Sequence, residues 1–393
     1  MNHYYRAAAF IAAILLTGAL SCGTSVPDSP SIPRNPERPD KASGSFSFLV
    51  CGDIHWCDED FYDLDAMLEE KPGDWRQITK TYSPVTRANW EDFVSVMKDR
   101  LEAEPEIGCI VQLGDMSEGL ANTPGGAAEI AEKVVDVLTD ADFGVPVLLA
   151  KGNHDITGVG DAYRKEARAA FTGYVSPYIS AQVGTNVEDA NYVYRTGDVL
   201  FVVLDAYNRT LDQTEFMRKA LEESDAKYKF VCMHEPAVPA TERCWHYLKN
   251  SPERRPEFLK AIAENKAVFL CGHLHRYSVL RRNTEWGPVV QVMVNSVTDL
   301  KRKVTPSYEL GLKDYGAGLV EWKPDYSPSN REWRLETLTA EAEYVDYYNM
   351  TNLPGYALIS INGKTGDIML RYYPAWSDEP YDEVNLTELL NGK

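Results

Sequence analysis

Short apolar runs recur along this chain, and each ends in glycine or a polar group. They are Phe46 to Val50, Cys109 to Leu113, Pro146 to Ala150, Val199 to Leu204, Phe230 to Met233 and Val268 to Leu270. Runs this short and this apolar predict buried strands. Between them lie helical patterns. Arg87 to Ala103 places Trp90, Phe93, Val94, Met97 and Leu101 at the spacing of one helix face. Ala127 to Leu138 predicts a second helix. Strands alternating with helices predict a layered α/β domain. Later in the chain, Pro288 to Val294 and Tyr356 to Ile361 predict further strands. Ile368 to Tyr373 follows across Asn362-Gly363-Lys364-Thr365-Gly366, which predicts a hairpin.

Two long segments lack this periodicity. Cys57 to Pro84 is acidic and aromatic, and Asp299 to Asn352 is rich in Tyr and Trp. Loops of that length serve either as functional lids or as surface decoration, and the pattern does not choose between them. At the other end, Arg6 precedes an apolar run from Ala7 to Leu20. That run is too short to span a bilayer comfortably, which predicts an export signal over residues 1–21. Its ending, Leu20-Ser21-Cys22-Gly23, resembles the bacterial lipoprotein signal. The resemblance implies a lipid on Cys22, membrane contact through that lipid alone, and a place in the cell envelope, at the outer membrane. Residues 22–45 are rich in Pro, Ser and charge and predict a flexible tether. The remaining 46–393 form the domain, with the aromatic-rich stretch 299–352 as an insertion.

Charge narrows the partners. The 393 residues are 44% hydrophobic and 25% charged, with a net charge of −19. That composition supports a sizeable core and argues against general nucleic-acid binding. A small phosphorylated substrate remains compatible, because bound cations dominate the field inside one pocket. Cys51, Cys109, Cys232 and Cys271 fall in or just after apolar runs and read as small buried hydrophobes. Cys57 and Cys244 stand in polar segments, where an oxidising compartment would permit a disulfide.

The candidate chemistry lies just past the strand ends. Asp53-Ile54-His55 follows the first run, Gly114-Asp115 the second, and Gly152-Asn153-His154-Asp155 the third. His234 follows Phe230 to Met233, and Gly272-His273-Leu274-His275 follows the run ending at Leu270. In open α/β sheets, ligands bind outside the carboxyl ends of strands, so distant segments can converge there. Seven histidines occur in the chain; His3 goes with the leader, and of the other six only His246 lies outside these motifs. Asp, Asn and imidazole suit Zn, Mn or Fe ions, and a carboxylate can bridge two of them. Glycines 52, 114, 152 and 272 fit turns where backbone approaches metal closely.

In this order the motifs resemble the calcineurin-like metallophosphoesterase superfamily, over roughly Phe46 to Val297. The resemblance implies a four-layer α/β/β/α sandwich of two mixed sheets flanked by helices. It implies hydrolysis of a phosphoester, as phosphatase or phosphodiesterase, by a hydroxide activated at two divalent metal ions. Asp53, His55, Asp115 and His275 would hold one ion; Asp115, Asn153, His234 and His273 the other. His154 would contact the phosphate and protonate the leaving oxygen, and Asp155 would orient that imidazole. The purple acid phosphatase branch has a tyrosine ligand where this chain has Glu118, so its chromophore is not expected. Trp56, Tyr207, Asn208, Arg276, Tyr277 and His246 stand near the motifs, each open to a structural role or a place at the rim. The competing function is a non-catalytic lipoprotein that binds a phosphorylated ligand or glycan through Asp299 to Asn352.

Overall fold

The computed structural model describes residues 44–296, 304–326 and 330–392. The leader 1–21, Cys22 and all but the last two residues of the predicted tether lie outside the described residues. Among the described residues, no helix is long and apolar enough to cross a membrane.

The strands in chain order are β1 (Phe46–Cys51), β2 (Ile107–Gln112), β3 (Val147–Leu149), β4 (Tyr192–Thr196), β5 (Val199–Val203), β6 (Tyr228–Cys232) and β7 (Val268–Cys271). They continue with β8 (Tyr277–Thr284), β9 (Gly287–Met293), β10 (Glu309–Gly311), β11 (Val345–Thr351), β12 (Gly355–Ile361), β13 (Ile368–Pro374) and β14 (Asp382–Asn385). They make a six-stranded sheet, β14-β13-β12-β1-β2-β3, and an eight-stranded sheet, β10-β11-β8-β9-β7-β6-β5-β4. Both sheets are mixed. β1, β2 and β3 run parallel in the first, and β5, β6, β7 and β9 in the second. The expected fold class is what the chain adopts: two mixed sheets with helices on their outer faces.

Aromatic packing joins the sheets. Phe48 on β1 meets Phe201 on β5 and Phe230 on β6 edge-on, with ring centroids 4.9 and 4.8 Å apart. All three rings are fully buried, and each contributes roughly 1.5–3 kcal/mol by leaving water. Farther along, Tyr277 on β8 stacks on Tyr372 on β13 at 3.8 Å. Outside the first sheet runs helix Ser83–Ala103, whose Arg100 lies over the Tyr373 ring of β13. Outside the second, Gln213–Glu222 buries Met217 and Leu221, and Arg255–Glu264 buries Phe258, Leu259 and Ile262. The former starts where the Asp212 side chain accepts from the Thr214 and Glu215 amides.

Several elements differ from the sequence expectation. The first long helix begins at Ser83 rather than Arg87, because Pro84 sits in its first turn, where a missing N–H costs nothing. Cys57 to Pro84 is not irregular: it holds helices Leu64–Glu70 and Pro72–Arg76 and a π turn Gln77–Thr81. None is long enough to display a period. The segment after residue 303 likewise contains helices Ala317–Trp322 and Arg331–Ala342 between β10 and β11. β11 pairs with β8, so this segment extends the second sheet, while the terminal hairpin β12–β13 pairs with β1 in the first. Cys57 and Cys244 are both buried thiols with no disulfide between them.

Helix Arg331–Ala342 is locked to the core by one carboxylate. Glu341 receives Arg255 at 2.5 Å and Arg282 at 2.7 Å. Burial raises its pKa, but the two guanidiniums outweigh that and lower it from 4.5 to about 2. The stabilisation is therefore full above the unfolded value near 4.5 and is lost as pH falls through about 2. Glu341→Gln should cost about 3 kcal/mol at neutral pH, and the gap to the parent should narrow towards acid. Denaturant unfolding at several pH values checks this; a gap independent of pH would contradict it.

Candidate dinuclear metal site

Five parallel strands from two sheets end at one place. β1, β2 and β3 of the first sheet deliver Asp53 and His55, Asp115, and the Asn153–Asp155 turn. β6 and β7 of the second deliver His234, and His273 with His275. The turns are tight. Asp53, His55, Asp115, His273 and His275 all take left-handed backbone, with φ of 50, 53, 51, 73 and 50°. Non-glycine residues hold that conformation only where their surroundings impose it. Close approach explains glycines 114, 152 and 272. A Cβ on Gly152 would lie 2.1 Å from the Asp115 amide nitrogen, and one on Gly272 would lie 2.5 Å from Asp53 Oδ2. Gly52 differs, since its nearest neighbour would be at an ordinary 3.4 Å.

The expected ligands fall into two groups, and His55 also belongs to a third with Glu118 and His154. In one, His55 Nε2 and His275 Nε2 are 3.0 Å apart, and His275 Nε2 is 3.2 Å from Asp53 Oδ1. In the other, His273 Nδ1 is 3.0 Å from His234 Nε2, which is 3.1 Å from Asp115 Oδ2. The same Oδ2 lies 3.9 Å from His55 Nε2, so Asp115 faces both groups. Its Oδ1 accepts the His154 amide at 2.7 Å, which fixes the carboxylate. Asn153 Oδ1 is buried with no hydrogen-bond partner.

Hydrogen bonds behind the imidazoles set which nitrogen faces inward. His234 donates from Nδ1 to the Leu113 carbonyl at 2.7 Å, leaving Nε2 towards Asp115. His275 Nδ1 meets the Tyr82 hydroxyl at 3.3 Å. His55 Nδ1 lies 2.7 Å from Glu118 Oε2, off the line of a good hydrogen bond. Glu118 is fully buried, and desolvation pushes its pKa to about 8.

Charge and burial oppose one another here. Burial, with neighbouring imidazoles, holds His55 and His273 well below the ordinary histidine pKa. They are neutral, the form with a lone pair to give. For His234, burial works against the proton but Asp115 outweighs it, raising the pKa to about 10. A cation entering this group must displace that proton.

The donor set fits metal ions. Two imidazole nitrogens on one ion at about 2.1 Å stand roughly 3.0–3.4 Å apart, depending on the angle between them. The inward-facing contacts of 3.0–3.2 Å fall in that range. A cation would also satisfy the orphaned Asn153 oxygen.

His154 stands beside the first group, its ring 4.6 Å from that of His55. The resemblance implied that Asp155 orients this ring, and the structure corrects that. His154 Nδ1 donates to the Glu118 carbonyl at 2.7 Å. Asp155 instead accepts the amides of Asp115, Gly152 and Ser117 at 3.0, 2.8 and 2.9 Å, tying two turns together. Trp56 is buried against Phe61 and bridges to Ser117, a packing role. The Tyr207 ring lies 6.4 Å from His234, whereas Asn208 caps its own turn through Thr210. Arg276 donates to the His275 carbonyl at 2.6 Å and lies 3.8 Å from Glu242. Tyr277 is buried and donates to Asp382, and the buried His246 Nδ1 donates to the Cys244 carbonyl. Sequence reasoning missed Tyr82, which stacks on His55 at 4.2 Å, and Trp245, which stacks on His273 at 5.2 Å. Neither sits in a motif, and no periodic signal marks either.

The calcineurin-like phosphoesterase family model matches residues 46–277, more than half of the chain. The chain belongs to that family, which depends on a dinuclear metal centre. No curated protein matches it by sequence. Among solved structures, PhoD is similar with a TM-score of 0.51 and 11% identity, over 88% of this chain and 70% of that one. Purple acid phosphatase PPD1 from yellow lupin (Lupinus luteus) seeds gives 0.49 and 12%, over 88% of this chain. This chain spans only 54% of that one. A dimetal phosphatase from Danio rerio gives 0.48 and 13%, over 87% and 98%. At such identities the likeness is one of fold alone.

The glycine contacts generate a test. Gly272→Ala should push the Asp53 carboxylate aside and reduce bound metal, whereas Gly52→Ala should retain it. Metal analysis beside thermal melting checks this. Equal metal content in the two folded variants would contradict it.

Proposed function

We propose that this chain is a metal-dependent phosphoester hydrolase whose two donor groups each hold one divalent cation. Asp53, His55, Asp115 and His275 hold one ion; Asp115, Asn153, His234 and His273 hold the other. The observation that carries the reading is Asp115 Oδ2, which faces both groups at once. Manganese, zinc or iron all suit such donors. Ions held there would supply Lewis acidity towards phosphoryl oxygens and would acidify water.

The chain's own residues do the rest. The Glu118 carbonyl keeps the His154 proton on Nδ1, so Nε2 is the atom that meets the substrate. Burial alone would strip the second proton from this ring, but Glu118 and Asp115 outweigh burial and raise its pKa. His154 Nε2 is thereby the atom placed to give a proton to the leaving oxygen. Asp155 keeps the Asp115 and Gly152 turns in register, which positions the bridging carboxylate. If the leader is an export signal with lipid on Cys22, this chemistry takes place in the cell envelope on a small phosphorylated substrate.

One observation favours the binding reading as well. A groove of about 640 Å³ is lined by Trp286, Trp333 and Tyr344, the kind of aromatic surface a glycan would stack on. Metal-loaded protein that bound a glycan yet hydrolysed no monoester or diester would replace the enzyme reading with that one.

His154→Ala should keep both ions and lose about 10²–10⁴-fold in turnover. Asp115→Ala should lose metal. Metal analysis paired with a phosphoester assay checks both, and an unchanged metal content in Asp115→Ala would remove the bridging role.

A further inference from the structure

The 57–84 segment is pinned to the turns of the first two metal-binding motifs. Near its start, the buried Tyr62 hydroxyl donates to the Gly119 carbonyl at 2.7 Å, one residue past Glu118. Just past its end, the buried Thr86 hydroxyl donates to the Ile54 carbonyl at 2.8 Å, between Asp53 and His55. Arg87 closes the two ends on each other, reaching Asp58 at 2.8 Å and Glu59 at 3.0 Å. Between these anchors lies the π turn Gln77–Thr81, closed by the Tyr82 amide on the Gln77 carbonyl at 2.9 Å. A π turn holds one residue more than an α turn, so it re-aims the side chain that follows.

That side chain is Tyr82. Its ring lies 4.2 Å from the His55 imidazole with 16° between the planes, and it meets the His275 ring edge-on at 5.5 Å. Its hydroxyl stands 3.3 Å from His275 Nδ1. The two imidazoles turn their Nε2 atoms to one another at 3.0 Å. An imidazole that gives its Nε2 lone pair to a cation keeps its proton on Nδ1, where a phenol oxygen accepts it.

We propose that Tyr82 is a positioning residue for one ion of the pair: its ring face and hydroxyl hold His55 and His275 in ligating orientation. The 57–84 segment is then a brace for that ion rather than a lid or surface decoration. This rests on the two-ion reading, under which His55 and His275 share an ion. The brace acts on one donor group only, because Tyr82 touches neither His234 nor His273 in any ring contact or hydrogen bond among the described residues.

The test is calorimetric titration of manganese into the metal-free full chain, with thermal melting of each metal-free variant alongside. Tyr82→Phe keeps the stacked ring and loses the hydroxyl; Tyr82→Leu loses both. Tyr82→Phe should weaken one of the two ions about tenfold and leave the other within about twofold of the parent. Tyr82→Leu should weaken the same ion further. In a His275→Ala background, which lacks that ion, Tyr82→Phe should leave the remaining ion's affinity unchanged. Both ions held as tightly in folded Tyr82→Leu as in the parent would overturn the proposal, and so would equal weakening of the two. If the parent takes up a single ion and Tyr82→Phe still weakens it, the two-ion reading fails while the positioning role stands.

Discussion

Imidazole nitrogens and carboxylate oxygens that point at one another in a buried space repel unless positive charge lies among them. Here His55 and His275 face each other at 3.0 Å, as do His273 and His234, beside two carboxylates that are 0% and 1% exposed. Burying an ionised carboxylate without a partner is strongly unfavourable. The attraction between the Asp115 carboxylate and His234, which raises the His234 pKa against burial, relieves part of this. The orphaned Asn153 oxygen and the neutral His55 and His273 rings are left for cations to satisfy.

The rest of the fold serves that convergence. Parallel strands from two sheets must end side by side, and the Phe48, Phe201 and Phe230 rings hold the sheets face to face to make that so. A buried pair, Lys151 Nζ to Asp205 Oδ2 at 2.5 Å, ties the turn after β3 to the turn after β5. Five donor residues then take left-handed backbone, each at a cost of order 1 kcal/mol or more. Such strain persists because the sheets behind it leave the turns no alternative. Asp155, bonded to three backbone amides, does the same for the third turn.

The strands that carry the site were legible because each is a short apolar run cut off by glycine and a metal-binding group. Histidine is rare in this chain, so its clustering at those ends was informative. What the sequence concealed has physical reasons. Helices such as Leu64–Glu70 are too short to show a period, and β11 pairs with β8 through contacts far apart in sequence. Tyr82 and Trp245 reach the site from segments with no repeating pattern, so only tertiary packing reveals them. The partner of the His154 ring is a backbone carbonyl, which no side-chain motif encodes; that is why Asp155 looked like the orienting group.

The central claim is that two cations share Asp115. Its most direct test is a crystal structure of manganese-soaked protein with anomalous diffraction recorded at the manganese edge. The account predicts two peaks about 3.5–4 Å apart, with the Asp115 carboxylate between them, one beside His55 and His275 and the other beside His234 and His273. A single peak at full occupancy, or two peaks that Asp115 does not join, would contradict it.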